Sequence, residues 1–406
     1  MEKMKNFTKV VYFVSVLALL FSGCQTGNHR ANGSYELIKS QLKLLAVNFK
    51  VAKTLTTRKD VVTIRSLNSD GTLNLIPSKD WCSGFYAGSL WYGSILTGDT
   101  ELQKLAVEFT TPLEQEKLNG KTHDMGFKMM CSYGQGYHLT KDSVYRDILI
   151  QSAKTLTKRF NEKVGAFRSW DHSKDKWQFP VIIDNMMNLE LLFWASRQTG
   201  DQQYYNIAVK HAETTLANHF RADNSSYHVI DYDSITGKVL QKTTHQGFSD
   251  SSAWARGQAW GLYGYTMCYR ETGIVSFLYQ AEKIAAFILN HPNLPADKIP
   301  YWDFDAPEAS VRPRDVSAAA ITASALLELA QFSPSKKDFY IKSAETILKS
   351  LNKDYLSKPG ENKGFLLGHS TGSYPQHVEV DVPINYADYY YLEALVRQNN
   401  FNHLKK

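Results

Sequence analysis

The chain is poor in the residues that would declare a disulfide scaffold or a metal centre. Its 406 residues hold only four cysteines, Cys24, Cys82, Cys131 and Cys268, and these are scattered. Cys24 belongs to a targeting segment described below, and the remaining three make no disulfide framework. No Cys-x-x-Cys or His-x-His spacing occurs, so the common cysteine-based zinc arrangements are excluded. Buried free thiols are the expectation, and neither a metal nor a cofactor is expected. Charge of one sign is also scarce. The formal net charge is +6 with no Lys/Arg-rich block, which argues against a nucleic-acid partner while leaving room for an acidic ligand. No linker divides the chain, so its length reads as one large domain.

Hydrophobic residues make up 43% of the chain, enough for a sizeable core. Aromatic residues reach 13%, with 8 Trp and 23 Tyr, a supply that suits both core packing and stacking on sugar rings.

The N-terminus reads as an export signal. Lys3 and Lys5 precede an apolar run from Val10 to Leu20 that is too short to span a bilayer comfortably. The run ends in Leu20-Phe21-Ser22-Gly23-Cys24, which is similar to a bacterial lipobox. The expectation is a signal over residues 1–24, a lipidated Cys24 as the sole link to a membrane, and a polar tether over 25–34. Ordinary secretory cleavage nearby is the alternative.

From Tyr35 onward the chain reads as about twelve helices. Leu37, Ile38, Leu42, Leu45 and Phe49 set a helical period in the first. The others are expected over 84–96, 100–118, 125–139, 141–160, 185–198, 201–220, 253–271, 274–289, 316–332, 336–351 and 383–397. Leu96-Thr97-Gly98-Asp99, Gln198-Thr199-Gly200-Asp201 and Glu271-Thr272-Gly273 each join two helices. Gly supplies a left-handed residue that ends one helix, and in the first two Asp caps the next. Consecutive hairpins of this kind either close into an all-α ring of six, the (α/α)6 barrel, or stack as an open solenoid. Residues 227–242 alternate around Val229, Ile230, Tyr232 and Ile235 and predict a β-hairpin. Residues 290–314 carry five prolines and predict a long loop.

Chemistry is expected where polar groups interrupt apolar runs. Asp184 lies within Val181-Ile182-Ile183-Asp184-Asn185-Met186-Met187-Asn188-Leu189. A carboxyl in such a run is paired or has a raised pKa, and a raised pKa makes it a proton donor near neutrality. The plainer reading, favoured by the local pattern alone, is a helix cap. Asp124, in His123-Asp124-Met125-Gly126-Phe127, stands at another helix start, so the two form a possible glycosidase-type carboxyl pair or two ordinary caps.

A third stretch runs from His245 and Gln246 through Asp250, Ser251, Trp254, Arg256, Gly257 and Gln258 to Trp260. Asp250 and Ser251 read as caps. Arg256 and Trp260 are four apart and share a helical face, while Gly257, Gly261 and Gly264 form a small-residue stripe that lets another helix approach closely. A guanidinium beside indoles suits a carboxylated sugar, and equally suits an Arg packed on a core Trp. Trp81 in Asp80-Trp81-Cys82-Ser83-Gly84-Phe85 is a further candidate, whereas His228 on the predicted hairpin has a plain structural reading. Arg314-Asp315-Val316-Ser317 reads as a loop anchor and a helix cap.

Taken in order, these blocks resemble one family. Trp81 with Gly84-Phe85, His123-Asp124-x-Gly126-Phe127, Asp184-x-x-Met187-Asn188-Leu189, the His245–Trp260 stretch, Arg314-Asp315-x-Ser317-Ala318-Ala319, and Asp381-Val382-Pro383 through Asp388-Tyr389-Tyr390 are similar to the unsaturated glucuronyl hydrolases of glycoside hydrolase family 88. The resemblance implies the (α/α)6 barrel, to which the hairpin read from residues 227–242 is a small insertion. It implies as substrate an oligosaccharide with a 4,5-unsaturated uronic acid at its non-reducing end, as left by a polysaccharide lyase on a glycosaminoglycan-type chain. It gives Asp184 the place of the general acid/base and Asp124 that of a second essential carboxyl. It places Trp81, His123, His228, His245, Gln246, Trp254, Arg256 and Trp260 around the sugar. Some family members contact sulfate through a Ser-x-x-Ser-x-Lys stretch. Ser370 and Ser373 match it here, but Pro375 stands in place of the Lys. Two other readings compete: an unsaturated rhamnogalacturonyl hydrolase, against which the His123-Asp124 block argues, and a non-catalytic glycan-binding lipoprotein.

Overall fold

The computed structural model describes residues 28–307 and 312–404. The expected signal and Cys24 lie outside them. Twelve α-helices follow in order: α1 (Asn28–Leu55), α2 (Phe85–Thr97), α3 (Thr100–Thr110), α4 (Gln135–Thr140), α5 (Ser143–Thr157), α6 (Leu189–Thr199), α7 (Gln202–Asn218), α8 (Ala255–Thr272), α9 (Val275–Asn290), α10 (Val316–Phe332), α11 (Lys337–Ser350) and α12 (Asn385–Leu404). The first begins within the expected tether. Extending a helix already nucleated costs less than starting one, and no proline stands between Asn28 and Tyr35 to stop it.

The even-numbered helices form a ring. α2 packs on the π-helical turn Gly126–Gly134 that leads into α4, that turn on α6, α6 on α8, α8 on α10, α10 on α12, and α12 back on α2. This closure rules out the open solenoid and gives the (α/α)6 barrel. Composition sorts the two layers. Every residue of α8 from Ala255 to Cys268, and of α10 from Val316 to Ala330, is buried. A helix apolar or small on all sides belongs in an interior. In α3 only Leu102, Ala106, Phe109 and Thr110 are buried, the single stripe of an outer helix.

The hinges behave as their sequences predict. Gly98, Gly200 and Gly273 sit at φ 68°, 76° and 68°. Asp99 accepts hydrogen bonds from the amides of Glu101 and Leu102, and Asp201 from that of Gln203. Other expected helices are subdivided. The one over 100–118 changes to a 3-10 helix (Thr111–Leu118), with Pro112 in its first turn. The one over 125–139 opens with the π-helical turn, a form that recurs at functional sites.

Short strands dress one end of the barrel: β1 (Val61–Leu67) with β2 (Leu73–Pro77), β3 (Phe160–Asn161) with β4 (Ala166–Phe167), β5 (Pro180–Ile182) with β6 (Val229–Tyr232) and β7 (Val239–Thr243), and β8 (Ser370–Ser373) with β9 (Val378–Val382). The expected hairpin over 227–242 is therefore two strands of a three-stranded antiparallel sheet. The third, β5, is the first half of the apolar run that ends in Asp184. The proline-rich 290–314 stretch makes only isolated bridges among its described residues, Trp254 with Asp303 and Tyr301 with Arg314.

Candidate active site

The inner helices run parallel, so their N-termini gather at one end of the barrel. There a cleft of about 1030 Å³ opens, lined by Trp81, His123, Asp124, Phe127, Asp184, His245, Gln246, Arg256 and Ser373, among others. Asp184 lies in a 3-10 turn (Ile183–Asn188) between β5 and α6. Its cap position is Ile182, and no side chain caps it. The capping role that local pattern favoured is thus not its role. Asp124 caps nothing either: it precedes the π-helical turn, whose cap residue is Met125, and accepts instead from the Thr122 hydroxyl at 3.0 Å. Nor does Asp250 cap α8. Trp254 holds that position, and Asp250 accepts from the Thr244 amide. Asp315 does cap α10, accepting from the amides of Ser317 and Ala318.

Two devices bring the carboxyls to one cleft. Asn188 Oδ1 accepts from the amides of Gly126 (2.8 Å) and Phe127 (3.2 Å), tying the Asp124 segment to the Asp184 segment. A Cβ on Gly126 would stand 2.6 Å from Asn188 Cα, so only glycine permits this approach. On the other side, the glycine stripe of α8 seats the Asp184 turn. Gly261 faces Ile183 and Ile284, and a Cβ on Gly264 would meet Met186 Cβ at 2.4 Å. The close neighbour expected here is another helix; the structure seats the 3-10 turn that carries Asp184 in the stripe, with Ile284 of α9 beside it at Gly261.

The surroundings of Asp184 make it a proton donor near neutrality. It is only 7% exposed, and its Oδ2 is buried without a hydrogen-bond partner. Burial drives its pKa from the usual 3.8 to about 7, against the pull of the Arg256 guanidinium and with help from the charge of Asp124. His123 is buried beside Asp124, its Nε2 3.1 Å from Asp124 Oδ1, and its Nδ1–H donates to the Ser169 carbonyl. The 3.1 Å approach is too poorly aligned for a hydrogen bond and leaves Nε2 unpartnered. Burial holds His123 below the usual histidine range.

Arg256 is almost wholly consumed by the protein. Nη1 donates to Asp315 Oδ2 (2.6 Å) and to the Thr371 carbonyl, and Nη2 donates to the Gly372 carbonyl. The guanidinium faces Trp254 at 4.7 Å and Tyr386 at 5.3 Å rather than Trp260, because Asp315 and the β8 carbonyls draw it away from its own helix face. Only Nε lacks a partner. Arg256 therefore acts first as a clamp between α8, α10 and β8, and it presents its charge to Asp184.

The structure divides the remaining expected site residues in two. Trp81, His123, His245, Gln246 and Ser373 line the cleft; His228, Trp254, Trp260 and Ser370 do not. Trp260 is fully buried behind Phe127, with ring centroids 5.1 Å apart. Trp254 packs between Arg256 and His228. The amides of His245 and Gln246 both donate to His228 Nδ1, at 3.1 and 3.0 Å. Nδ1 is thus the acceptor and the proton sits on Nε2, which is buried without a partner. Burial keeps His228 neutral, with its pKa well below the usual range. Gln246 Nε2 donates to the Gly372 carbonyl, and Gln376 Nε2 to the His245 carbonyl, so the β8–β9 hairpin is pinned over the cleft.

Several lining residues escaped the sequence reading. Trp170 stacks on His172, with centroids 5.2 Å apart and planes 13° apart, and Arg168, Lys121, Lys174 and Gln376 also line the cleft. The available signal was an aromatic set among polar residues, off any helical period, in Ser169-Trp170-Asp171-His172. Among the described residues no group of three His, Cys, Asp or Glu side chains is placed to hold a metal ion.

A helical barrel with one neutral acid, a neighbouring carboxyl and indoles in a single cleft defines the class: a glycosidase of the (α/α)6 type. Comparison with known proteins gives the family. Glycosyl Hydrolase Family 88 matches residues 50–403. The chain is 48% identical to an unsaturated glucuronyl hydrolase of Formosa agariphila, over 97% of this chain and 98% of that one. It is 36% identical to an unsaturated glucuronyl hydrolase of Bacillus sp. strain GL1, over 81% and 89%. A crystal structure of an unsaturated glucuronyl hydrolase specific for heparin superposes with a TM-score of 0.85 at 50% identity, covering 91% and 97% of the two chains. The chain belongs to glycoside hydrolase family 88.

Proposed function

We propose that this enzyme removes the 4,5-unsaturated uronic acid from the non-reducing end of lyase-generated, glycosaminoglycan-type oligosaccharides, with Asp184 as acid and base. The observation that carries the reading is the buried, unpartnered Oδ2 of Asp184 in the cleft, on a carboxyl that is half protonated at about pH 7. The C4=C5 bond of the substrate is a vinyl ether. Asp184 gives its proton to C4, and the ring oxygen stabilises the positive charge that develops at C5. Water adds to C5 and returns a proton to the Asp184 carboxylate. The hemiketal so formed opens and expels the neighbouring sugar. One carboxyl serves both proton transfers, so the reaction does not require the paired carboxyls of ordinary retaining or inverting enzymes.

Other features support this reading. The N-terminal ends of the inner helices point at the cleft, and their dipoles favour a carboxylate there. The Nε2–H of His228 is a fixed donor behind the wall. Asp124 holds sugar hydroxyls beside the acid. A decline in the near-ultraviolet absorbance of unsaturated disaccharides from chondroitin, hyaluronan and heparin tests the activity. Binding without any loss of absorbance would instead identify a glycan-binding protein, and turnover confined to pectin-derived substrates a rhamnogalacturonyl hydrolase.

Export as a lipoprotein belongs to the same proposal. Lys3, Lys5, the apolar run and Leu20–Cys24 support it. Cells fed a labelled fatty acid should give labelled wild-type protein and unlabelled Cys24→Ala. An unlabelled wild type would leave secretory cleavage as the route.

A further inference from the structure

The structure shortens the link between the expected lipid anchor and the barrel. The sequence predicts a polar tether over 25–34, whereas α1 is already helical at Asn28. Only Gln25, Thr26 and Gly27 stand between Cys24 and that helix. The chain from Cys24 to Asn28 therefore reaches at most about 14 Å.

α1 starts at the end of the barrel opposite the cleft. Lys43 pairs with Asp99, in the hinge between α2 and α3, at 2.9 Å, and Lys50 pairs with Glu108, within α3, also at 2.9 Å. α1 thus runs parallel to α3, away from the hinges and toward the cleft end. Its last turn, at Ala52 and Leu55, lies beside β2 at Leu73 and Leu75. Near its start, Tyr35 Oη accepts from Asn399 Nδ2 at 2.7 Å, and the next residue, Asn400, lines a cavity at the far end. Asn28 lies seven residues before Tyr35, about 10 Å of helix. From Gly33 onward, Ile38 is the first residue of α1 to be buried, and a Cβ on Gly33 would meet nothing within 4 Å. The helix therefore enters from beyond the far face, on the side turned away from the cleft.

We propose that the lipid on Cys24 seats the far end of the barrel on the bilayer and turns the cleft away from it, so that substrate enters from the side opposite the membrane. The proposal rests on the lipoprotein reading of Leu20–Cys24 given above. The inner helix α8 alone has 18 residues, about 27 Å of height. A barrel resting on its cleft end would lift Asn28 by at least that height, about twice the reach of the link, and would aim the start of α1 away from the bilayer. Exposed apolar side chains occur at both ends, Val378 at the cleft among them, so exposure does not choose the face. The attachment point does. With the far end down, Ile95, Leu139, Val144, Val275 and Phe339 meet the membrane interface, which accommodates apolar side chains. All five are exposed and lie within a turn of the hinges between inner and outer helices. Charges at these hinges are mixed, with Asp99, Asp142, Asp201 and Asp338 beside Lys141 and Lys337, so lipid charge does not set the orientation.

The test uses the full-length lipoprotein, purified in detergent and reconstituted into phosphatidylethanolamine/phosphatidylglycerol vesicles with or without a nitroxide on the lipid headgroup. Cys82, Cys131 and Cys268 are buried, and the lipid blocks Cys24, so a thiol-reactive fluorophore reports from one added cysteine. That cysteine is Ile95→Cys or Val275→Cys at the far end, or Lys174→Cys at the cleft mouth. The nitroxide quenches only on close approach. Both far-end labels should lose fluorescence, while the Lys174→Cys label stays as bright as in vesicles without nitroxide. A cleft label quenched as strongly as either far-end label overturns the orientation, and so does an absence of quenching at all three sites on protein that floats with the vesicles. Cys24→Ala carrying Val275→Cys should stay unquenched; quenching equal to that of the lipidated protein would overturn the part given to the anchor. Failure of the lipoprotein reading shows separately and earlier, as wild-type protein that carries no labelled fatty acid and does not float with vesicles, and it overturns both.

Discussion

The two ends of the barrel are built from similar residues and put to opposite uses. At the far end a cavity of about 770 Å³ is lined by Glu190, Glu271, Glu393, Arg197, Arg270 and Arg397 with Tyr92, Tyr137 and Trp194. Nearly every charge there has a protein partner. Arg270 joins Glu190, Glu271 and Glu328; Arg397 joins Glu328 at 2.9 Å; Arg197 joins Glu271. Glu393 accepts from the hydroxyls of Tyr92, Tyr263 and Ser324. At the cleft end Asp184 Oδ2, His123 Nε2, His228 Nε2, Arg256 Nε and Trp170 Nε1 are buried without partners. An unpaired buried polar atom is costly, so a cluster of them marks where a substrate completes the structure. The same carboxylates, arginines and aromatics close one mouth and leave the other chemically open.

The comparison is broken most severely at Asp184. Asp184→Asn should lower kcat by about 10²–10⁴ on an unsaturated disaccharide, the usual worth of a general acid–base. It should also stabilise the protein. Between pH 3.8 and about 7 the folded chain retains a proton that the unfolded chain has released, so this carboxyl weakens the fold progressively as pH rises through that window. The difference from 3.8 to about 7 corresponds to roughly 4 kcal/mol at most. The melting temperature of the variant relative to wild type should therefore rise from pH 4 to pH 8. Asp388 is the internal control. Burial raises it also to about 7, yet its two oxygens accept from the amides of Leu366 and Leu367 at 2.8 and 2.9 Å. If Asp184→Asn retained wild-type kcat, the open end would not be the catalytic end.

Arg256 is where the two uses meet, so its variants sharpen the contrast. Arg256→Ala removes a buried ion pair with Asp315 and should cost about 3–5 kcal/mol of stability. Arg256→Lys keeps a charge near Asp184 but loses the fork that holds Thr371 and Gly372. Loss of a charged hydrogen bond is worth about 1.5–3 kcal/mol, or roughly one to two decades in kcat/KM. The pH profile separates the roles. Arg256 holds the Asp184 pKa down, so Arg256→Ala should move the alkaline limb of kcat to higher pH and Arg256→Lys should move it less. A drop in melting temperature with kcat/KM and the alkaline limb both unchanged would make Arg256 a clamp and nothing more.

What the sequence makes legible follows from the range of each interaction. The twelve helices and their hinges are local: a 3.6-residue period, then Thr-Gly-Asp. The layering is local too, since α8 and α10 carry small and apolar residues all round. Asp184 stands out because a carboxyl interrupts an apolar run, although the same run hides a strand, β5, and a 3-10 turn that no period distinguishes. The partners of Arg256 are not legible. Asp315 lies 59 residues away and the Thr371 carbonyl 115 residues away, and only the closed ring brings them together. Trp260 shares the helical face of Arg256 yet packs on Phe127, because being four apart fixes the face and not the depth. The cleft residues Lys121 and Lys174 come from two loops, and loops carry no period by which to align them.

The smallest effect on turnover, and an instructive one, belongs to the far end. Glu328 lies between two arginines: Oε1 accepts from Arg270 Nη1, and Oε2 forms an ion pair with Arg397 Nη2 at 2.9 Å. Burial alone would raise its pKa, but Arg397 and Arg270 outweigh burial and hold it below the usual 4.5. A carboxyl with a lowered folded pKa adds stability that is present above the unfolded value and lost as pH falls through the folded one. Glu328→Gln keeps the volume but leaves two guanidinium groups facing a neutral amide, and removing one partner of a buried pair costs about 3–5 kcal/mol. The variant should therefore melt well below wild type at pH 7, with the gap closing toward pH 3. That trend is opposite in sign to the one Asp184 imposes, because one end gains from an ionised carboxyl and the other is burdened by it. Unfolded protein binds no substrate, so the comparison is made per folded molecule at 25 °C, where kcat and KM should stay within about twofold of wild type, the range of a substitution that touches neither substrate nor acid. A tenfold fall in kcat with an unchanged melting temperature would mean that the far end takes part in the reaction, and that its paired charges do more than close the barrel.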